Sequence, residues 1–158
     1  MGNYHYIIAG LPELVLNADN KSFSYDAIRD SILYSSSEKD KRIVEWFEFG
    51  SDDKNLSSHF YRAAFKSKNR FIRLYFALDL EIRNRKVDFV AGKMERDADQ
   101  YKIIVDNCVD LGLSEEQLNK LSGIFANKNI LEKEQMLDKF KWDYINTLNP
   151  YGTFDMDV

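Results

Sequence analysis

Apolar residues recur at spacings of three, four and seven along most of this chain, the pattern of amphipathic helices. From Arg70 to Ala91, the positions Phe71, Tyr75, Leu78, Ile82 and Phe89 form one stripe. That predicts a single long central helix, roughly 33 Å at 1.5 Å per residue. Leu137, Phe140, Tyr144 and Leu148 make a second stripe, opened by Asn129 with Glu132 and closed by Pro150. Ser114 and Gln117 have capping-box spacing ahead of Leu118, Leu121 and Phe125. Ser35 and Glu38 have the same spacing before Ile43, Trp46 and Phe47, with Gly50 as the stop. Ser24 is placed to cap a helix through Tyr34, and Ser57 or Ser58 one carrying Phe60, Ala64 and Phe65. Asp97 is expected to cap a helix with Tyr101, Ile104, Val105, Cys108 and Leu111 on its stripe, ended by Gly112. The opening run from Tyr4 to Pro12 is too short for periodicity to type, and reads as a short strand or a packed apolar arm.

These elements give an all-α fold: a helical bundle of about six to seven helices with a long central helix and a short N-terminal arm. Two prolines and seven glycines in 158 residues agree with it. The length favours one domain over 1–158. No fixed-period repeat and no low-complexity linker is evident. The apolar fraction of 44% against 30% charged residues is a globular balance. One cysteine excludes an intrachain disulfide and a multi-cysteine zinc site. No apolar run is long enough to span a bilayer, and residues 1–11 lack a secretory signal pattern. A cytoplasmic location is expected.

Charge changes the picture locally. The chain carries −4 overall, which speaks against a generally basic nucleic-acid binder and against DNA as a partner. Residues 62–86 nonetheless hold eight cations against Asp79 and Glu81, a +6 segment that leaves −10 on the rest. Arg62, Lys66, Arg73, Arg83, Arg85 and Lys86 are therefore candidate partner-binding residues, for an acidic protein or RNA. The bland alternative is a solvated helix face. Aromatics reach 14%; most fit the helical stripes as core volume. Tyr4 and Tyr6 lie outside that pattern and join the candidate partner-binding set.

Chemistry is sparse. His5 and His59 show no metal-ligand spacing. Cys108, on an apolar stripe, reads as a buried small thiol before it reads as a nucleophile. Gly92-Lys93 lacks the glycine spacing of a phosphate loop. Asp79 with Arg83 is an i,i+4 helix pair. No catalytic, cofactor or metal residue is assigned, and the isolated chain is expected not to be an enzyme.

Three stretches carry a resemblance: Tyr4 to Leu14; Glu81-Ile82-Arg83-Asn84-Arg85 with Gly92-Lys93; and Ile130 to Glu134 with Leu137-Asp138 and Trp142-Asp143-Tyr144. Together they resemble a bacterial domain-of-unknown-function family encoded among V-type ATP synthase genes. That family in turn resembles the C-type component of these machines, called d in eukaryotes. The resemblance implies an all-α, non-catalytic subunit that couples the central rotor stalk to the membrane ring. It would bind no nucleotide, and would lie in the cytoplasm, peripheral to the inner membrane. Its partners would be the stalk and ring subunits. Glu81 and Asn84 resemble a recurring acidic-then-Asn helix element that acts as a structural polar pair. The C-type proteins are about twice as long and have a threefold pseudo-repeat, which is not found here. Tyr151, Phe154, Met156 and Val158 stud the C-terminal tail. The expectation is a shortened or truncated member that could pair with a second copy through its C-terminal surface.

Overall fold

Caps and stripes build the observed helices in the computed structural model, which describes residues 4–13, 15–16 and 24–148. Among the described residues there are seven α-helices, one short 3-10 turn and no strand. The all-α reading holds. The helices are α1 (Tyr4–Gly10), α2 (Tyr25–Ser35), α3 (Glu38–Gly50), α4 (Ser58–Phe65), α5 (Arg70–Lys93), α6 (Glu115–Ala126) and α7 (Ile130–Thr147). The opening arm is thus neither a strand nor extended but two turns of helix. The side chains of Tyr4 and His5, and the tail residues from Asn149 to Val158, lie outside the described residues.

The chain divides into two compact units, Met1–Asn55 and Leu56–Val158. In the first, α1 lies against α2. Arg29 on α2 grips Glu48 on α3 with both ends of its guanidinium, and the Tyr25 hydroxyl donates to the same carboxylate at 2.9 Å. Ser37, not Ser35, caps α3, accepting from the Asp40 amide; the Ser36 hydroxyl donates to the Ile32 carbonyl instead.

The second unit holds the core. Asn69 caps α5 and Ser57 caps α4 through their side-chain oxygens. α5 is buried on two sides, which is why it is a spine. Leu78 and Ile82 pack with Leu121, Ile124 and Phe125 of α6 and with Leu137, Phe140 and Tyr144 of α7. Another face, carrying Ile72, Phe76, Ala77 and Leu80, is also buried. There the Phe76 ring meets Phe60 of α4 edge-on, centroids 4.9 Å apart, a favoured aromatic geometry. α6 begins in a complete capping box between Ser114 and Gln117. Asn129 Oδ1 opens α7 by accepting from the amides of Leu131 and Glu132.

The helix expected over 97–111 does not form. The chain there runs through turns and irregular backbone, although Tyr101, Ile104, Val105, Cys108 and Leu111 keep helical spacing. Asp97 and Asp110 bond the backbone amides two residues on, at 3.0 and 2.9 Å. Such local bonds compete with helix hydrogen bonding. Only Val105 of that stripe is buried, while Tyr101 and Ile104 stand exposed. Cys108 is exposed as well, correcting its reading as a buried thiol.

Two contacts fix this segment on α5. α5 runs past Gly92 and ends with the Arg96 amide donating to the Ala91 carbonyl at 3.0 Å and the Glu95 amide reaching that of Gly92. This six-to-one, five-to-two closure needs a left-handed residue, and Glu95 supplies it at φ 52°. Further on, the Asn84 side chain clasps Ile103 as a peptide would. Its amide donates to the Ile103 carbonyl at 2.9 Å, and its oxygen accepts from the Ile103 amide at 3.0 Å.

Candidate functional site

The α5 end and the clamped segment together make a groove of about 420 Å³. Its apolar lining is Val87, Val90, Ala91, Met94 and Tyr101. Its charged lining is Arg83, Lys86 and Arg96. Positions 83, 87, 90 and 94 follow each other at helical spacing, so they share one stripe of α5. That stripe is not core: Val90 and Met94 are 41% and 60% exposed, as is Tyr101 of the clamped segment at 57%. A second hollow, about 340 Å³, lies on the other side of Lys86 and Val90, which line both. Lys93, Lys128 and Lys133 line it, around Phe89 and Phe125. The Lys93 ammonium sits 4.4 Å from the Phe89 ring centroid. Among the described residues, no carboxylate lines either hollow. Both hollows are therefore apolar in their floor and cationic at their edge.

The +6 segment is not one patch. Arg62 and Lys66 are exposed on and just after α4. Arg73 is spent on the α4–α5 turn, where one guanidinium nitrogen donates to the carbonyls of Ser67 and Lys68 at 2.6 and 3.0 Å. Arg85 pairs with Glu81 one turn earlier. Arg83 and Lys86, three residues apart, reach the groove. Arg96 completes its cationic edge and Lys93, Lys128 and Lys133 edge the second hollow; all four lie outside the basic segment of the sequence. A finer signal is present there: Val87, Val90 and Met94 are apolar at helical spacing but fall off the stripe that Leu78 and Ile82 define. Tyr6 is exposed on α1, in the first unit. Asn84 holds irregular backbone and not a neighbouring helix.

A polar cluster that the sequence pattern does not show lies at the α4–α5–α7 junction. Tyr61, fully buried, donates its hydroxyl to Asp79 Oδ2 at 2.7 Å. Lys141 of α7 donates to Asp79 Oδ1 at 3.1 Å. The Arg83 guanidinium lies near enough to the Tyr61 phenol to oppose the rise that Asp79 and burial cause there. Asp79, expected from its spacing to pair with Arg83 along α5, thus bonds side chains of two other helices. Burial, with Asp79 beside it, pushes the Tyr61 phenol well above its ordinary range. Burial opposes the Lys141 charge, but Asp79 outweighs it and the ammonium is held above its usual value.

Among the described residues, no group of three or more His, Cys, Asp or Glu side chains is placed to hold a metal ion. Partial desolvation of this exposed side chain and the nearby Glu81 raise the Cys108 thiol, which works against a thiolate nucleophile at neutral pH. His59 is exposed on α4. No described helix is long and apolar enough to cross a membrane.

No curated protein and no solved structure matches the chain. A family model does match, over residues 48–158, from the last turn of α3 through the whole second unit. On that match the chain belongs to the family described as "protein of unknown function (DUF2764)".

Proposed function

We propose that this chain is a non-catalytic subunit that works by binding other proteins, and that its assembly is a V-type ATP synthase or ATPase. In it the chain would take the place of a C/d-like subunit between the central rotor stalk and the membrane ring. The observation that supports a binding role is the cation-edged apolar groove on the C-terminal half of α5. The assembly is suggested by the resemblance alone, two of whose three stretches fall on α5 and α7 around that core. An all-α build is what such a subunit requires. Arg83 and Lys86 at the groove favour an acidic protein partner over RNA, since among the described residues Tyr101 is the one aromatic face this groove offers for base stacking.

The test is a pull-down of tagged full-length protein from its native cell, read by mass spectrometry. Recovery of stalk and ring subunits is expected. Recovery of RNA, or of proteins unrelated to the ATPase, would overturn the assembly assignment.

A further inference from the structure

Lys86 and Val90 line both hollows, so they form the ridge between two apolar depressions along one stretch of surface. The apolar positions Val87, Val90 and Met94 climb α5 over about 10 Å, at 1.5 Å per residue. An amphipathic helix lays anchors at i, i+3, i+4 and i+7 into a surface of this period. The cations stand on both flanks: Arg96 on one, Lys93, Lys128 and Lys133 on the other, with Lys86 between. Glu134 approaches Lys86 only to 4.0 Å and is itself largely exposed, so it neutralises little.

We infer that this double groove is the seat of an acidic amphipathic helix from a partner protein, its apolar face in the hollows and its carboxylates against the flanking lysines and arginines. The inference rests on the reading that the chain acts by binding other proteins, and names the chemistry of one partner. Charge complementarity carries it. A symmetric contact with a second copy of this chain would bring the same cations together and be repelled. An RNA strand would find few rings to stack on. A lipid surface would meet the lysines but would leave two concave, apolar depressions unfilled. Elsewhere the chain is net acidic, which turns an acidic segment away from other faces and toward this one.

The experiment places a photo-crosslinking amino acid at Met94 of the tagged full-length protein in its native cell. The crosslinked peptide is then sequenced. The expected adduct is a partner segment of net negative charge with apolar residues at helical spacing. Its yield should fall at least about tenfold in a Lys86→Glu/Arg96→Glu/Lys128→Glu variant, and steeply with added salt. Circular dichroism of that variant establishes that it is folded; should it not be, Val90→Glu alone is used with the same expectation. An adduct on lipid, on RNA or on a neutral or basic segment would overturn the inference. So would no adduct at Met94 while partners still co-purify, an outcome that leaves the proposed function standing. Failure of every partner to co-purify removes both.

Discussion

The Tyr61 hydroxyl, on a side chain with no solvent exposure, donates to the Asp79 carboxylate at 2.7 Å. It ties α4 to the spine, and Lys141 on the opposite oxygen ties in α7. A hydrogen bond to a charged group contributes about 1.5–3 kcal/mol. Tyr61→Phe should therefore lower unfolding stability by about 1.5 kcal/mol in urea. A loss below about 0.5 kcal/mol would mean the phenol adds volume only. The cluster also sets an alkaline limit. Tyr61 and Lys141 both have folded pKa values above their unfolded ones, which lie near about 10 and 10.4. Their contribution is complete below about pH 10 and is lost as pH rises toward the folded values. Stability should fall from about pH 10 upward, and less steeply in Tyr61→Phe.

Asn84 makes two hydrogen bonds to Ile103 with one side chain. Asn84→Ala should cost about 2 kcal/mol, and amide exchange at Ile103 should accelerate far more than exchange in α6. Asn84→Asp keeps the acceptor but loses the donor, and should fall between. Equal exchange in wild type and Asn84→Ala would show that the segment is held by other means.

Glu95 adopts a left-handed conformation that costs a residue with a Cβ about 1–2 kcal/mol. Glycine avoids that cost but loses more chain entropy on folding. Glu95→Gly should stabilise the protein by about 0.5–1 kcal/mol. A destabilised variant would mean that the Glu95 side chain makes a compensating contact.

The caps and the deep stripes of the second unit are legible from sequence because they are local facts. Ser114 with Gln117 and the Leu137–Phe140–Tyr144–Leu148 series appear in the structure as the spacing predicts. The failure at 97–111 has a physical cause. Its apolar spacing is helical, but aspartates at 97 and 110 satisfy nearby amides and Asn84 claims Ile103 from nineteen residues away. The Asp79 cluster is invisible in the sequence for a related reason. An i,i+4 pair is readable along a helix, whereas the approach of Tyr61 and Lys141 depends on how three helices pack. The groove and the hollow beside it fall between these cases: the stripe on α5 is written in the sequence, but Arg96 reaches the groove, and Lys128 and Lys133 the second hollow, only through the fold.

Arg83 and Lys86 are equivalent as members of a basic segment, and the structure separates them. Arg83→Glu would set a carboxylate beside Tyr61 and Asp79, and should cost about 2 kcal/mol. Lys86→Glu, on an exposed side chain, should stay within about 0.5 kcal/mol of wild type. Thermal melts of the two variants distinguish them. Equal losses would place Arg83 outside the polar cluster.

In the first unit the Arg29 hydrogen bonds hold the Glu48 carboxyl below its ordinary range, against the opposing effect of burial. Its contribution is present above the unfolded pKa of about 4.3 and is lost as pH falls through the lower folded value. A pH titration by NMR should find Glu48 below the ordinary glutamate range, and Arg29→Ala should raise it toward that range. A normal value in the wild type would mean the pair is solvent-separated.

Asn84 grips Ile103 by its peptide atoms alone, so the clamp asks nothing of the side chain there except that it not be proline. Support and reading surface are thereby separately editable. The α5 spine can stay constant while Tyr101 and Ile104, exposed on the clamped segment, are exchanged freely. Under the proposed binding role, a library randomised at Tyr101, which lines the groove, would retune partner preference without touching a buried residue, as recognition loops do on a rigid frame.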